Sequence, residues 1–126
     1  MDGKKYELNE NLTVITCCDK PIAIAGVIGG LETSVTNTTS SIYLEGAVFN
    51  PVTIRKSSKE IGLRTESSSR YEKGISSKKT IESFTSAINL LEEFFPINLP
   101  TIHTSNLINS EENFIKLRRS RIHKIL

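Results

Sequence analysis

Ile22-Ala23-Ile24-Ala25-Gly26-Val27-Ile28-Gly29-Gly30-Leu31-Glu32 is the stretch on which the reading of this chain turns. From Pro21 to Ile28 no side chain is polar. Such a run cannot alternate between core and solvent, so it predicts a strand over Ile22 to Val27 that is covered on both faces. Gly26, Gly29 and Gly30 then remove side chains where the strand opens into a turn. Glycine there admits positive φ or a close approach of backbone to another group. A tight turn between core strands is the plain reading of that spacing. A binding site walled by backbone amides is the sharper one.

Outward from that stretch, short strands separated by turn signals dominate the first third. Lys5 to Leu8 and Leu12 to Cys17 have strand character, with turns at Asp2-Gly3, Asn9-Glu10-Asn11 and Asp19-Lys20-Pro21. With the apolar run they form a meander. Thr33 to Ser41 is rich in Ser, Thr and Asn and reads as a loop whose side chains can bond their own backbone. A further strand is expected over Ile42 to Phe49. Glu45 stands within it, and the pleat leaves it either turned to solvent or buried and paired.

The rest of the chain is helical in pattern. Asn50 and Pro51 suit an N-cap and a first helical position, and Gly62 suits the residue after the end. Arg55, Lys56 and Lys59 fall on the polar face of that helix. A solvated face is the simpler reading; with Arg64 and Arg70 nearby, a basic surface for RNA is the alternative. Gly62 to Gly74 crowds charges and hydroxyls into a loop or short helix whose groups must pair or bind something. From Ser77, taken as N-cap, to Pro96, the residues Ile81, Phe84, Ile88, Leu91 and Phe95 recur at steps of three and four. That stripe predicts a core helix, in which Phe84→Asp would unfold the domain. Residues 96–113 read as a connector. From Phe114 the pattern becomes basic and helical, as though another domain begins, so the sequence is expected to be a piece of a longer protein.

Composition narrows the function classes. A chain of 126 residues is about one domain and can bury a core. Hydrophobic residues make up 37% and aromatics only 6%, so that core must be largely aliphatic. Sixteen basic against fourteen acidic residues give a net charge of +2, too even to argue nucleic-acid binding from the global field. Cys17 and Cys18 are adjacent and form neither a disulfide framework nor a zinc site; a reducing compartment follows, with Cys17 a small strand residue. No apolar run approaches the roughly 18 residues of a membrane span, and the first residues resemble no targeting peptide. There is no phosphate loop, no dinucleotide fingerprint, no Ser-His-Asp pattern and no metal-ligand cluster in the sequence.

Four motifs in order carry a resemblance. They are Pro21-Ile22-Ala23-Ile24-Ala25-Gly26-Val27-Ile28-Gly29-Gly30, Ile42-Tyr43-Leu44-Glu45, Asn50-Pro51, and Gly62-Leu63-Arg64-Thr65-Glu66-Ser67-Ser68-Ser69-Arg70-Tyr71-Glu72-Lys73-Gly74. Together they resemble the central part of bacterial-type phenylalanyl-tRNA synthetase beta subunits. The resemblance implies an α+β fold, an antiparallel or mixed sheet of short strands with two packed helices. It places the central and C-terminal part of a tRNA-editing domain at 1–95, a connector at 96–113, and the start of a following domain at 114–126.

The implied activity is hydrolysis of tyrosine mischarged onto phenylalanine tRNA, in support of a ligase. In the implied pocket Ala25, Gly26, Gly29 and Gly30 form a wall, and Glu45 hydrogen-bonds the tyrosine hydroxyl. No side-chain nucleophile is implied; a positioned water attacks the ester. The family's editing site also uses histidine, threonine and arginine side chains from upstream of this segment, so the isolated 126 residues are not expected to edit. Gly62 to Gly74 is implied to be structural or interfacial. The resemblance further implies a synthetase alpha subunit in an alpha2beta2 assembly, phenylalanine tRNA as partner, ATP and Mg2+ for the full synthetase but not for this segment, and a cytoplasmic or organelle-stroma location. A non-catalytic binding or structural module of the same fold is the alternative.

Overall fold

The computed structural model describes residues 3–96, 102–105 and 114–125. Most of the expected connector, and Asp2 of the first turn signal, lie outside these residues. The architecture is α+β: a three-stranded antiparallel sheet in the order β1-β2-β3, followed by four helices.

Strands β1 (Val14–Cys17) and β2 (Lys20–Ile24) are joined by two residues, Cys18 and Asp19. Both have positive φ, 49° and 62°, as a two-residue hairpin of matching twist requires. The turn thus falls one residue earlier than its Asp-Lys-Pro signal suggests. Pairing runs Val14 to Ile24 and Ile15 to Ala23, then skips Ile22, so that Thr16 faces Pro21 and Cys17 faces Lys20. The irregularity sits beside a residue that has no N–H to give a ladder.

The apolar run is not one long strand. β2 ends at Ile24, the chain reverses through Ala25, Gly26 and Val27, and β3 (Ile28–Gly29) pairs back on β2. Val27 N–H closes the turn on the Ile24 carbonyl at 3.0 Å. Gly26 occupies its third position with φ +65°, a geometry that L side chains resist. Gly30 N–H extends the ladder to the Ile22 carbonyl at 2.7 Å. Burial is therefore concentrated at the hairpin tip, in Ile24, Ala25 and Val27.

Two expected strands do not form. Residues 5–8 and 42–49 have no strand pairing among the described residues. A strand is defined by its partner, and Ile42, Tyr43, Leu44 and Val48 are exposed, Tyr43 fully so.

Helix α1 (Pro51–Glu60) has the expected ends. The Asn50 side chain accepts from the N–H groups of Val52 and Thr53 at 2.9 and 3.3 Å. At the other end Gly62 has φ +64°, and the N–H groups of Gly62 and Leu63 return to the Lys59 and Ser58 carbonyls. Helix α2 (Glu66–Tyr71) is capped by Thr65 through a reciprocal pair: Ser68 N–H donates to Thr65 Oγ1 at 3.0 Å, and Thr65 N–H to Ser68 Oγ at 2.9 Å.

The core lies between the hairpin tip and these two helices. Ile24, Val27 and Ile54 are buried, with Tyr6, Phe49, Leu63 and Tyr71 packed against them. The rings of Phe49 and Tyr71 meet at a centroid distance of 5.1 Å.

Helix α3 (Ser77–Phe94) follows, with Ser76 rather than Ser77 at its N-cap and no side-chain bond there. Its apolar stripe is not the core. No α3 residue is buried, Ile81 is 52% exposed, and Phe95, just past the helix end, is 60% exposed. The hydrophobic centre is already filled by α1 and α2, and the stripe meets the chain at Gly46, beside the Phe84 ring. Helix α4 (Arg119–Ile125) carries the basic pattern near the end of the sequence. No helix among the described residues is long and apolar enough to cross a membrane.

Candidate functional site

The segment from Gly62 to Gly74 is what assembles the site. Thr65 Oγ1, while accepting from Ser68, donates to the Val27 carbonyl at 2.8 Å. One hydroxyl thereby ties the start of α2 to the glycine-bearing hairpin. The Ser58 hydroxyl donates to the Leu63 carbonyl and fixes the α1–α2 corner. Arg64 reaches Glu72 at 2.6 Å; the arginine is mostly exposed and Glu72 mostly covered. Solvent screening keeps such a half-exposed pair modest in energy. Arg70 stands 3.9 Å from Glu66 on the same helix. Two arginines of the suggested basic surface thus already face carboxylates, while Arg55, Lys56 and Lys59 lie exposed on α1.

At the far end of α2 the Tyr71 hydroxyl donates to the Ala47 carbonyl at 3.3 Å. This bond, with the Phe49 contact, holds the unpaired segment that carries Glu45. The result is a hollow of about 290 Å³ walled by Glu45, Gly46 and Ala47 on one side, Tyr71 and Ile75 below, and Lys79, Ser83 and Phe84 of α3 opposite. A Cβ on Gly46 would come within 2.7 Å of the Phe84 ring, so backbone and ring are in close contact there.

Glu45 is open to solvent on one side, yet the walls withdraw water from the other, and this desolvation raises its carboxyl above the ordinary value of 4.5. Among the described residues no side chain or backbone group donates a hydrogen bond to it. The Tyr71 phenol is raised above 10.0, first by burial and then by the Glu45 charge nearby. A partly desolvated acceptor with no donor, between aromatic walls, suits a ligand that brings an O–H or N–H on an apolar body.

The other predicted pocket residues lie elsewhere. Gly29 and Gly30 line a second, smaller hollow of about 170 Å³ with Pro21, Ile22 and Leu31. Ala25 is 1% exposed, its N–H bonded to the Thr13 carbonyl at 2.9 Å. Gly26 faces inward, where a Cβ would stand 3.0 Å from Ile54 Cδ1 and 3.1 Å from Phe49 Cδ2. Gly29 and Gly30 are therefore together, Glu45 is in a different hollow, and Gly26 reaches the latter only through the Phe49–Tyr71 pair.

Three residues of the site are not assigned to it from the sequence: Thr65 and Tyr71, which lie within a quoted motif, and Phe84, which reads as core. The Thr-x-x-Ser spacing of Thr65 and Ser68 is a capping pattern that was available but masked by the surrounding charges. Nothing local marks Tyr71 or Phe84 as facing Glu45. Among the described residues no group of three or more His, Cys, Asp or Glu is arranged to hold a metal ion.

The comparisons with known proteins agree with this arrangement of motifs. The family model described as the B3/4 domain matches residues 1–96. The phenylalanine--tRNA ligase beta subunit of Prochlorococcus marinus (strain MIT 9312) is 82% identical over 126 residues, which is all of this chain and 16% of that protein. The proteins of the same name from Prochlorococcus marinus subsp. pastoris and from strain NATL2A of Prochlorococcus marinus are 67% and 45% identical, again over all of this chain and 15% of theirs. The chain thus spans about one sixth of the length of these relatives. By the match over most of its length, the chain belongs to the B3/4 domain family.

Proposed function

We propose that this chain supplies part of the editing domain of a phenylalanine--tRNA ligase beta subunit, and that Glu45 reads the hydroxyl of tyrosine mischarged onto phenylalanine tRNA. The observation that carries the reading is the Glu45 carboxylate, partly desolvated and without a donor, on the wall of an aromatic hollow. A synthetic pocket rejects one added hydroxyl weakly, so a second site that prefers the hydroxyl is useful. Preference requires a polar group that is left unpaired when phenylalanine is bound, and Glu45 is such a group.

In this reading residues 1–95 are the editing portion, 96–113 a connector and 114–126 the start of a following domain. Ala25, Gly26, Gly29 and Gly30 belong to the pocket through the hairpin they shape. Hydrolysis uses a positioned water and further side chains of the whole subunit. The alpha subunit, tRNA and an alpha2beta2 assembly are the partners of that whole subunit, in the cytoplasm or an organelle stroma. The residues of the Glu45 hollow do not fit ATP or Mg2+: one carboxylate and one ammonium, from Lys79, face it, and no glycine-rich turn lines it. That chemistry belongs to other parts of a synthetase.

The test uses the full-length beta subunit assembled with its alpha subunit. Glu45→Ala is expected to slow hydrolysis of tyrosyl-tRNA by about ten- to a hundredfold, the loss of one charge-assisted hydrogen bond, while phenylalanine attachment is retained. Unchanged tyrosyl-tRNA hydrolysis would remove Glu45 from the role. One observation favours the alternative, a non-catalytic binding module of the same fold: Glu45 and the Gly29-Gly30 pair line separate hollows. That alternative predicts a full-length enzyme in which Glu45→Ala leaves hydrolysis intact.

A further inference from the structure

Glu45 stands on a segment that no ladder holds, and a site on such a segment is only as precise as the contacts behind it. The two residues that follow it supply those contacts. The Gly46 backbone lies against the Phe84 ring. The Ala47 carbonyl accepts from the Tyr71 hydroxyl at 3.3 Å, across 24 positions of the chain. Among the described residues this is the one hydrogen bond made by the backbone of residues 42–49. Tyr71 is itself anchored: it ends α2, whose Thr65 cap is bonded to the Val27 carbonyl, and its ring meets Phe49.

The ring and the hydroxyl of Tyr71 do different things. The ring packs on Phe49 and walls the hollow, and a phenylalanine would do the same. The hydroxyl has one proton to give, and it goes to Ala47 rather than to Glu45. That choice matters for recognition. Were the proton given to Glu45, the protein would satisfy its own carboxylate, and a ligand hydroxyl would have to displace one bond in order to make another. With the proton on Ala47, the carboxylate stays unpaired and its segment is fixed by the same bond.

We propose that Tyr71 is a positioning residue for the discrimination made at Glu45: its bond to the Ala47 carbonyl holds the carboxylate at the wall of the hollow and keeps it free for the ligand's hydroxyl. The proposal rests on the reading of Glu45 given above and adds the residue through which that reading works. In this role Tyr71 donates nothing to the ligand and touches no reacting atom. It acts through two residues of backbone, so its effect exists only while Glu45 is present.

Tyr71→Phe in the full-length beta subunit, assembled with its alpha subunit, removes the hydroxyl and keeps the ring. Hydrolysis of tyrosyl-tRNA should fall by about three- to tenfold, the worth of one neutral hydrogen bond, with phenylalanine attachment retained. Amide exchange of residues 42–49, followed by mass spectrometry, should quicken by a similar factor while α1 keeps its protection. In a Glu45→Ala background the same substitution should cause no further loss of hydrolysis, a coupling that a merely structural role would not produce. The proposal is overturned if Tyr71→Phe hydrolyses tyrosyl-tRNA as wild type does, if the loss is as large without Glu45, if exchange of 42–49 is unchanged, or if α1 quickens equally. Unchanged hydrolysis by Glu45→Ala would overturn the reading of Glu45 and this proposal together. A slowed Glu45→Ala beside an unaffected Tyr71→Phe would overturn this proposal alone.

Discussion

The Thr65 hydroxyl stands between two backbones, donating to the Val27 carbonyl at 2.8 Å and accepting from Ser68 N–H at 3.0 Å. It is the cap of α2 and the tether of the hairpin tip at once. Thr65→Val keeps the shape and removes both bonds, leaving a part-buried carbonyl and an N–H without partners. A loss of about 2 kcal/mol is expected from cap and hydrogen bond together, with Thr65→Ser recovering most of it. Urea unfolding of the three proteins checks this; equal midpoints for Val and Thr would show that the tether is idle.

Gly26 combines a left-handed backbone with contacts to Ile54 and Phe49. Gly26→Ala should cost about 1–2 kcal/mol from backbone conformation alone, and more from the displaced neighbours. The added methyl pushes on Phe49, whose ring rests on Tyr71. A change in Tyr71 fluorescence accompanying the lowered melting temperature is the expected signature. A variant as stable as wild type would contradict the turn geometry.

Glu45 gives a pH dependence whose sign follows from its raised carboxyl. A folded-state value above the unfolded one means that the native state binds the proton more tightly. Ionisation is therefore a penalty on folding, absent in acid and growing as pH rises from about 4.5 through the folded value. Glu45→Gln should make the chain more stable than wild type at pH 7, with the gap closing below pH 4.5. Parallel melts of both proteins across that range are the measurement, and a gap that widens in acid would reverse the assignment.

Phe84 separates two views of α3. As part of a core stripe, Phe84→Asp would unfold the chain. With the ring half-buried against Gly46 and the centre formed by Ile24, Val27 and Ile54, the substitution should instead cost about 1–2 kcal/mol and leave a cooperative transition. Ile54→Asp, at a fully buried position, should abolish that transition. Circular dichroism melts of the pair decide the matter, since equal damage by both would restore α3 to the core.

Where structure is set by near neighbours in sequence, it was legible. Asn50, Pro51 and Gly62 bound α1 because caps act within a turn of the helix, and the structure shows all three in those roles. The apolar run around Gly26 was legible as buried but not as folded back on itself, because a tip of three residues and a continuing strand share the same hydropathy. Ile42 to Phe49 has strand composition, yet pairing is decided by residues far away in the chain. The stripe of α3 announced a helix, but not what would face it. For the candidate site, the oddity of a carboxylate among apolar residues was visible at Glu45. Its neighbours Tyr71 and Phe84 come from two successive helices, α2 and α3, whose placement around Glu45 no local pattern encodes.

The bond from Tyr71 to the Ala47 carbonyl has a consequence for motion. The Glu45 segment is held by a ring and a single hydroxyl rather than by a ladder of backbone bonds. Its amide protons should exchange with solvent through local release of that one clasp, far sooner than those of α1, which wait for the core to open. The wall carrying Glu45 should thus open to solvent while the hairpin and helices behind it stay shut.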